Sequence, residues 1–207
     1  QWPFKKNYPD FLDSWKQEQT PTSWIKNSCV WYSQVLTREL TIEKFQSYIT
    51  KLGYGNMDLS GDKKKNNGLT NSWLSSSLEI SSEEQVAFLQ KLLNNELSVS
   101  SHAYEMTRKI LFVDELSDGW KLYGKTGSGV LLSPDRMTKL DIQHGWFIGW
   151  IEKDSKVIIF SNHITDDKKE DVFASVRAKA DAKERLTKII HEIEQKRQNL
   201  HAKNLEM

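Results

Sequence analysis

Lys125-Thr126-Gly127-Ser128-Gly129, preceded by Tyr123-Gly124, sets a cation, a hydroxyl and glycine-freed backbone amides side by side. A substrate that carries a carboxylate and develops an oxyanion during reaction needs those groups in one place. The bland alternative is a glycine-rich hairpin turn with a solvated lysine, and three residues alone do not separate the two. Further short pieces stand upstream in a definite order: Ser28-Cys29-Val30, then Tyr54-Gly55-Asn56, then Trp73-Leu74, with Gly145-Trp146-Phe147-Ile148-Gly149-Trp150 downstream. His102, His144, His163, His191 and His201 have no partner at catalytic spacing and are left out of the site.

The elements that must position these residues follow from periodicity. Gln1 to about Thr22 mixes Trp, Phe and Tyr with Lys, Pro and Asp, and is expected to be irregular chain lying on a core, with a short helix near Phe11–Gln17. Ser28–Leu40 predicts a helix with Val30, Trp31, Val35 and Leu36 inward. Thr41 then caps a second helix carrying Ile42, Phe45, Ile49 and Leu52, which Gly53 ends. Tyr54–Asn71 is turn and loop chemistry, long enough to form a wall of a site. Ser81-Ser82-Glu83-Glu84 fits a capping box opening a helix over Ser82–Asn94, with Val86, Leu89, Leu92 and Leu93 inward. Another helix is expected over Ser101–Leu111.

The pattern then changes to strands: Gly119–Gly124, closed by the Lys-Thr-Gly stretch, then Gly145–Glu152 and Lys156–Ser161. Glu152-Lys153-Asp154-Ser155 reads as the hairpin turn that makes the last two antiparallel neighbours. A long helix from Asp166 to about Gln198 covers them, with Phe173, Val176, Ala180, Leu186, Ile189, Ile190 and Ile193 on one face. Helices, then strands, then a covering helix is an α+β order. The chain is expected to be one domain over 1–207, N-terminally incomplete, with a mainly helical lobe at 22–112 and the strands and helix of an α/β lobe at 113–207.

Composition narrows the function classes. With 38% hydrophobic residues, 8 Trp and 28% charged residues, the chain is a folded one and not a disordered one. Its 29 Lys and Arg against 28 Asp and Glu leave a net charge of +1, which gives no electrostatic reason to bind nucleic acid or an anionic membrane. The single Cys29 cannot make an internal disulfide, and no Cys/His cluster has zinc-ligand spacing, so no metal is expected. No run of about 18 apolar residues offers a membrane span, so no membrane partner is expected. Starting at Gln1, without Met or a leader, suggests a processed or partial chain.

Taken in order, Ser-x-Val, Tyr-Gly-Asn, a loop Trp and Lys-Thr-Gly resemble the class D, OXA-type, serine β-lactamases, over nearly the whole chain. The resemblance implies a β-lactamase/transpeptidase-like fold: an antiparallel sheet flanked by helices, an all-helical lobe, and an active site between them. It implies hydrolysis of β-lactams through a serine ester, no metal, and a lysine carbamate made from carbon dioxide as the general base. Catalytic roles fall on Ser28 as proton shuttle, Lys125 as field and relay, and Trp73 as indole donor to the carbamate. Substrate-binding roles fall on Thr126, on the Gly127 and Ser128 backbone, and on Arg177, which would grip the substrate carboxylate with both prongs. Val30 and Leu74 would wall the pocket apolarly. Set beside these are bland roles: a helix cap for Ser28, core for Val30 and Trp73, and a solvated helix charge for Arg177.

The family's Ser-x-x-Lys motif, which holds nucleophile and carbamylated lysine, has no counterpart upstream of these pieces. Ser23-Trp24-Ile25-Lys26 and Ser60-Gly61-Asp62-Lys63 match by spacing only and are assigned no role. The motif is expected on a segment outside this sequence. A β-lactam sensor domain, acylated without turnover, is the alternative reading, and a penicillin-binding transpeptidase a third. The family further implies β-lactam small molecules as partners, a periplasmic or secreted location, and leaves homodimerisation open.

Overall fold

Thr20 and Pro21 start the first helix, α1 (Pro21–Asn27). The Thr20 hydroxyl accepts from the Ser23 amide while Ser23 Oγ accepts from the Thr20 amide, and Pro21 sits where a missing N–H costs nothing. The sequence predicts irregular chain here; the structure, a computed structural model describing residues 1–205, places only a single 3-10 turn, Asp13–Trp15, before α1. Ser28 ends α1 in the left-handed region, φ 50° and ψ 44°. Helix α2 (Val30–Leu40) therefore begins two residues later than expected. An aromatic cluster fixes this junction: the Trp15 indole donates to Asn27 O at 2.8 Å and the Trp31 indole to Trp15 O at 3.0 Å, with Cys29 and Tyr32 buried alongside.

Helix α3 (Ile42–Leu52) ends at Gly53 with φ 59°. The loop after it is cross-braced by Asn56, whose amide side chain donates to Ser77 O at 2.8 Å and accepts from the Glu79 amide at 3.1 Å. A short helix, α4 (Gly68–Asn71), follows, then α5 (Ser82–Leu93), opened by the expected Ser81–Glu84 capping box, and α6 (Ser101–Ile110).

Four strands follow where three were expected: β1 (Phe112–Glu115), β2 (Lys121–Leu132), β3 (Lys139–Lys153) and β4 (Lys156–Thr165), antiparallel in the order β1-β2-β3-β4. The Lys-Thr-Gly stretch does not close β2. It lies mid-strand, and the chain turns only at 133–138, which also lengthens β3 at its start. Two residues, Asp154 and Ser155, separate β3 from β4.

Helix α7 (Ala174–Leu205) starts eight residues later than expected. Its inward face keeps the expected Leu186, Ile190 and Ile193 and differs toward its start, where Ala180 is also exposed. Ala174, Ala178, Ala182, Leu186 and Ile190 are buried, the last four of them against Trp120, Leu122, Phe147 and Ile151 of the sheet. Phe173, Val176 and Ile189, expected inside, are exposed. Alanine at every fourth position lets the helix lie close to the strands, and each fully buried Leu or Ile beside it contributes about 1.5–3 kcal/mol. The other sheet face packs Tyr123, Ile148, Trp150 and Ile159 against α5 and α6 through Leu89, Leu92 and Tyr104. The helices before β1 and the sheet thus meet along the face that carries Lys125.

Candidate active site

β1 ends its pairing with β2 at Tyr123, so from Lys125 onward β2 is bonded to β3 on one side only. Along its other edge the Val130 amide donates to Ser75 Oγ at 3.1 Å. An open strand edge with two glycines gives backbone amides that can reach a ligand. Gly127 has room to spare: a Cβ placed there would stand 4.0 Å from Trp146 Cβ.

Lys125 Nζ donates to Ser28 Oγ at 2.5 Å and to Thr126 O at 2.5 Å. Burial, and secondarily the charge of Lys179, lower its pKa to about 8. An amine poised there both holds positive charge at neutral pH and can give up its proton. Ser28 thus caps α1 with its backbone, while its hydroxyl meets the lysine of β2.

A cavity of about 670 Å³ borders Lys125 and is lined by Trp73, Lys125, Thr126, Gly127, Ser128 and Trp146, among others. Trp73 packs edge-on against Phe45, ring centroids 6.1 Å apart. Among the described residues its indole N–H meets no protein acceptor. Ser128 turns its hydroxyl to the start of α7, accepting from the Ser175 amide at 3.1 Å. Arg136, in the 133–138 turn, lines the same cavity and pairs with Glu79 at 3.1 Å.

Four expected residues do not line the cavity: Ser28, which reaches it only through its bond to Lys125, and Val30, Leu74 and Arg177. Val30 packs on the aromatic cluster, and Leu74 sits in the turn after α4 with its amide on Asn71 O. Arg177 gives both prongs to Asp166, at 2.8 and 2.7 Å, and the pairing holds the Asp166 carboxyl below its ordinary pKa. Of the two spacing matches to Ser-x-x-Lys, Ser23 is used in the α1 cap and Lys63 donates to Asp135 O at 3.3 Å; neither is bonded to the Lys125–Ser28 pair.

The structure also joins two residues that the sequence leaves unpaired. His144 Nδ1 and His163 Nε2 lie 3.2 Å apart on the cavity wall. Burial lowers the pKa of each ring, and for His163 the His144 ring adds to it. The Asp154-Ser155 turn was the available signal, since it sets the β3–β4 register that makes His144 and His163 diagonal neighbours. Among the described residues no group of three or more His, Cys, Asp or Glu could hold a metal ion, and no helix is long and apolar enough to cross a membrane.

An antiparallel sheet backed by one long helix, a helical lobe against its other face, and a lysine on an open strand edge meeting a serine of that lobe define a transpeptidase-type architecture. Residues 1–190 match the penicillin binding protein transpeptidase domain, and the chain belongs to that family. Within it, the similar proteins include class D, OXA-type β-lactamases. β-Lactamase OXA-1 of Escherichia coli is 38% identical over 175 residues, covering 84% of this chain and 61% of that protein. The crystal structure of the class D β-lactamase OXA-427 matches with a TM-score of 0.86 and 42% identity, covering 92% of this chain and 78% of that one. More distantly, the regulatory protein BlaR1 of Bacillus licheniformis is 31% identical over 169 residues, 82% of this chain and 24% of that protein. The chain spans about six-tenths of the length of OXA-1.

Proposed function

We propose that this chain forms the Lys-Thr-Gly side of a periplasmic or secreted β-lactam hydrolase that works through a serine ester. In this reading the nucleophilic serine and the base lysine come from a segment outside the 207 residues. The observation that carries it is the Lys125–Ser28 hydrogen bond at the cavity mouth. Opening a β-lactam breaks the C–N bond as the serine oxygen bonds the carbonyl carbon, and the leaving nitrogen must receive a proton. Ser28 is the donor in reach; Lys125, whose charge first draws the substrate carboxylate, passes its own proton to Ser28 and is reprotonated from solvent before the next cycle. Thr126 hydrogen-bonds that carboxylate, and the Ser128 amide, on the open strand edge, supplies one arm of the oxyanion hole. Arg177 joins only by exchanging Asp166 for the substrate.

Carbon dioxide, held as a lysine carbamate, supplies a base to the serine and then to the hydrolytic water. The half-buried Trp73 fits that group, since it lines the cavity and its indole N–H has no protein acceptor among the described residues. Similarity to BlaR1 favours one second reading, a sensor that keeps the ester. The test is the complete protein with a chromogenic cephalosporin and added bicarbonate. A hydrolase turns over steadily; one stoichiometric burst followed by arrest overturns the hydrolase reading and establishes the sensor.

A further inference from the structure

On the wall of the cavity, β3 and β4 present two imidazoles and no carboxylate. His163 pairs directly with Trp146 in the β3–β4 ladder, so His144, two residues before Trp146, lies diagonal to it on the same face. Trp146 stacks on His163 at 4.0 Å between centroids, backing that ring from one side. Opposite His144 on β2 stands Gly129, where any Cβ would fall 2.3 Å from His144 Nε2; the glycine is what admits the imidazole.

From this geometry we propose that His144 Nδ1 and His163 Nε2 form a two-point chelating site for a divalent first-row transition metal ion. Two imidazole nitrogens, each about 2.0–2.1 Å from a metal, stand about 2.9 Å apart at a right angle and about 3.4 Å apart at the tetrahedral angle. The observed 3.2 Å falls within that span. The rings cross at 74°, so neither blocks the approach of an ion to the other, and small rotations about χ2 bring both lone pairs onto it. A donor set of two neutral nitrogens selects Cu²⁺, Ni²⁺ or Zn²⁺ over Mg²⁺ and Ca²⁺, which take oxygen ligands. Water fills the remaining positions from the cavity. The site involves none of the groups assigned to β-lactam chemistry and stands whether or not that reading holds.

The test uses the full chain and Cu²⁺ as probe, followed by tryptophan fluorescence and electron paramagnetic resonance. One Cu²⁺ per chain is expected, with hyperfine structure from two imidazole nitrogens, competed by a large excess of Zn²⁺ and not by the same concentration of Mg²⁺. His163→Asn and His144→Asn should each weaken binding at least tenfold, while Trp146→Phe retains the affinity and loses part of the quenching. His163 lies on the edge strand with one ring face on Trp146 and the rest of the residue open to solvent, and circular dichroism checks that its variant is folded. Unchanged Cu²⁺ affinity in folded His163→Asn, or a spectrum without two imidazole nitrogens, overturns the proposal and leaves a plain hydrogen-bonded histidine pair.

Discussion

Lys125 on the sheet and Ser28 on the helical lobe share a hydrogen bond of 2.5 Å although 97 positions separate them. Each end is fixed by an independent device. Lys125 is set by the β2–β3 ladder, and Ser28 by a left-handed cap that the Trp15–Asn27 bond supports from below. Backbone geometry, more than side-chain freedom, brings the two together.

That lysine should make stability depend on alkaline pH. Its pKa in the folded chain is about 8, against 10.5 for an unburied lysine. Between those values the unfolded chain binds more protons, so stability rises with pH across the window. Below pH 8 both states carry the proton and the burial penalty is present in full. Chemical denaturation at pH 7.5 and 9.5 should show a rise for the wild type that Lys125→Met lacks. An equal rise in both proteins would place the titration elsewhere.

If the proposed hydrolysis holds, Trp73→Ala should stall deacylation in the complete protein. A buried anion that loses one donor is short by about 1–3 kcal/mol, enough to shift its occupancy of the cavity. With a chromogenic cephalosporin, the variant should give a burst followed by a slow phase that bicarbonate partly restores. A variant whose two phases match the wild type would reduce Trp73 to a packing residue beside Phe45.

The Arg177–Asp166 pair predicts acid sensitivity. Because Arg177 depresses the Asp166 pKa, the pair contributes stability above the ordinary carboxylate range and loses it as pH falls through the depressed value. Arg177→Ala should move the midpoint of acid unfolding to higher pH. In the complete enzyme the same variant should raise KM for carboxylate-bearing β-lactams more than it lowers kcat, provided the guanidinium leaves Asp166 for the substrate. A shifted acid midpoint with unchanged KM would leave the arginine a structural role only.

Two glycines on facing strands should respond oppositely to alanine. At Gly145 a methyl would lie 2.2 Å from Ala174 C and 2.5 Å from Ser175 N, in the seam where α7 begins. Overpacking of that kind costs about 1–3 kcal/mol, read as a lower melting temperature. At Gly127 the nearest atom is 4.0 Å away, and alanine should leave the melting temperature nearly unchanged while narrowing the cavity.

Much of this was legible before folding because capping and turn chemistry are local. Ser81 and Glu84 announced α5, and Glu152-Lys153-Asp154-Ser155 announced the β3–β4 hairpin, whose turn narrows to Asp154-Ser155. Thr20-Pro21 carried the same kind of signal and was obscured by the aromatic residues around it, which pack as a cluster without helical period. On α7 the search for large apolar side chains selected Phe173 and Val176, while close packing on the sheet required Ala174, Ala178 and Ala182. β1 went unseen because it is four residues long and mostly exposed. At the site, residue types pointed to Lys125, Thr126 and Trp73. The pairing of Arg177 with Asp166 depends on helix placement, which no local pattern encodes, whereas that of His144 with His163 follows from the β3–β4 register and needed the hairpin turn to be carried through to both residues.

The sheet order β1-β2-β3-β4 follows the chain, so every strand pairing is a hairpin between successive segments. Ordered loops of this sort close early and at small entropic cost, and the sheet can assemble as a local unit. Its two faces, however, are covered from opposite ends of the sequence: α5 and α6 emerge before the strands, and α7 only after them. The face bearing Trp120, Leu122, Phe147 and Ile151 is therefore covered only by the last helix of the order, and a chain cut before Ala174 would leave that apolar face open to self-association.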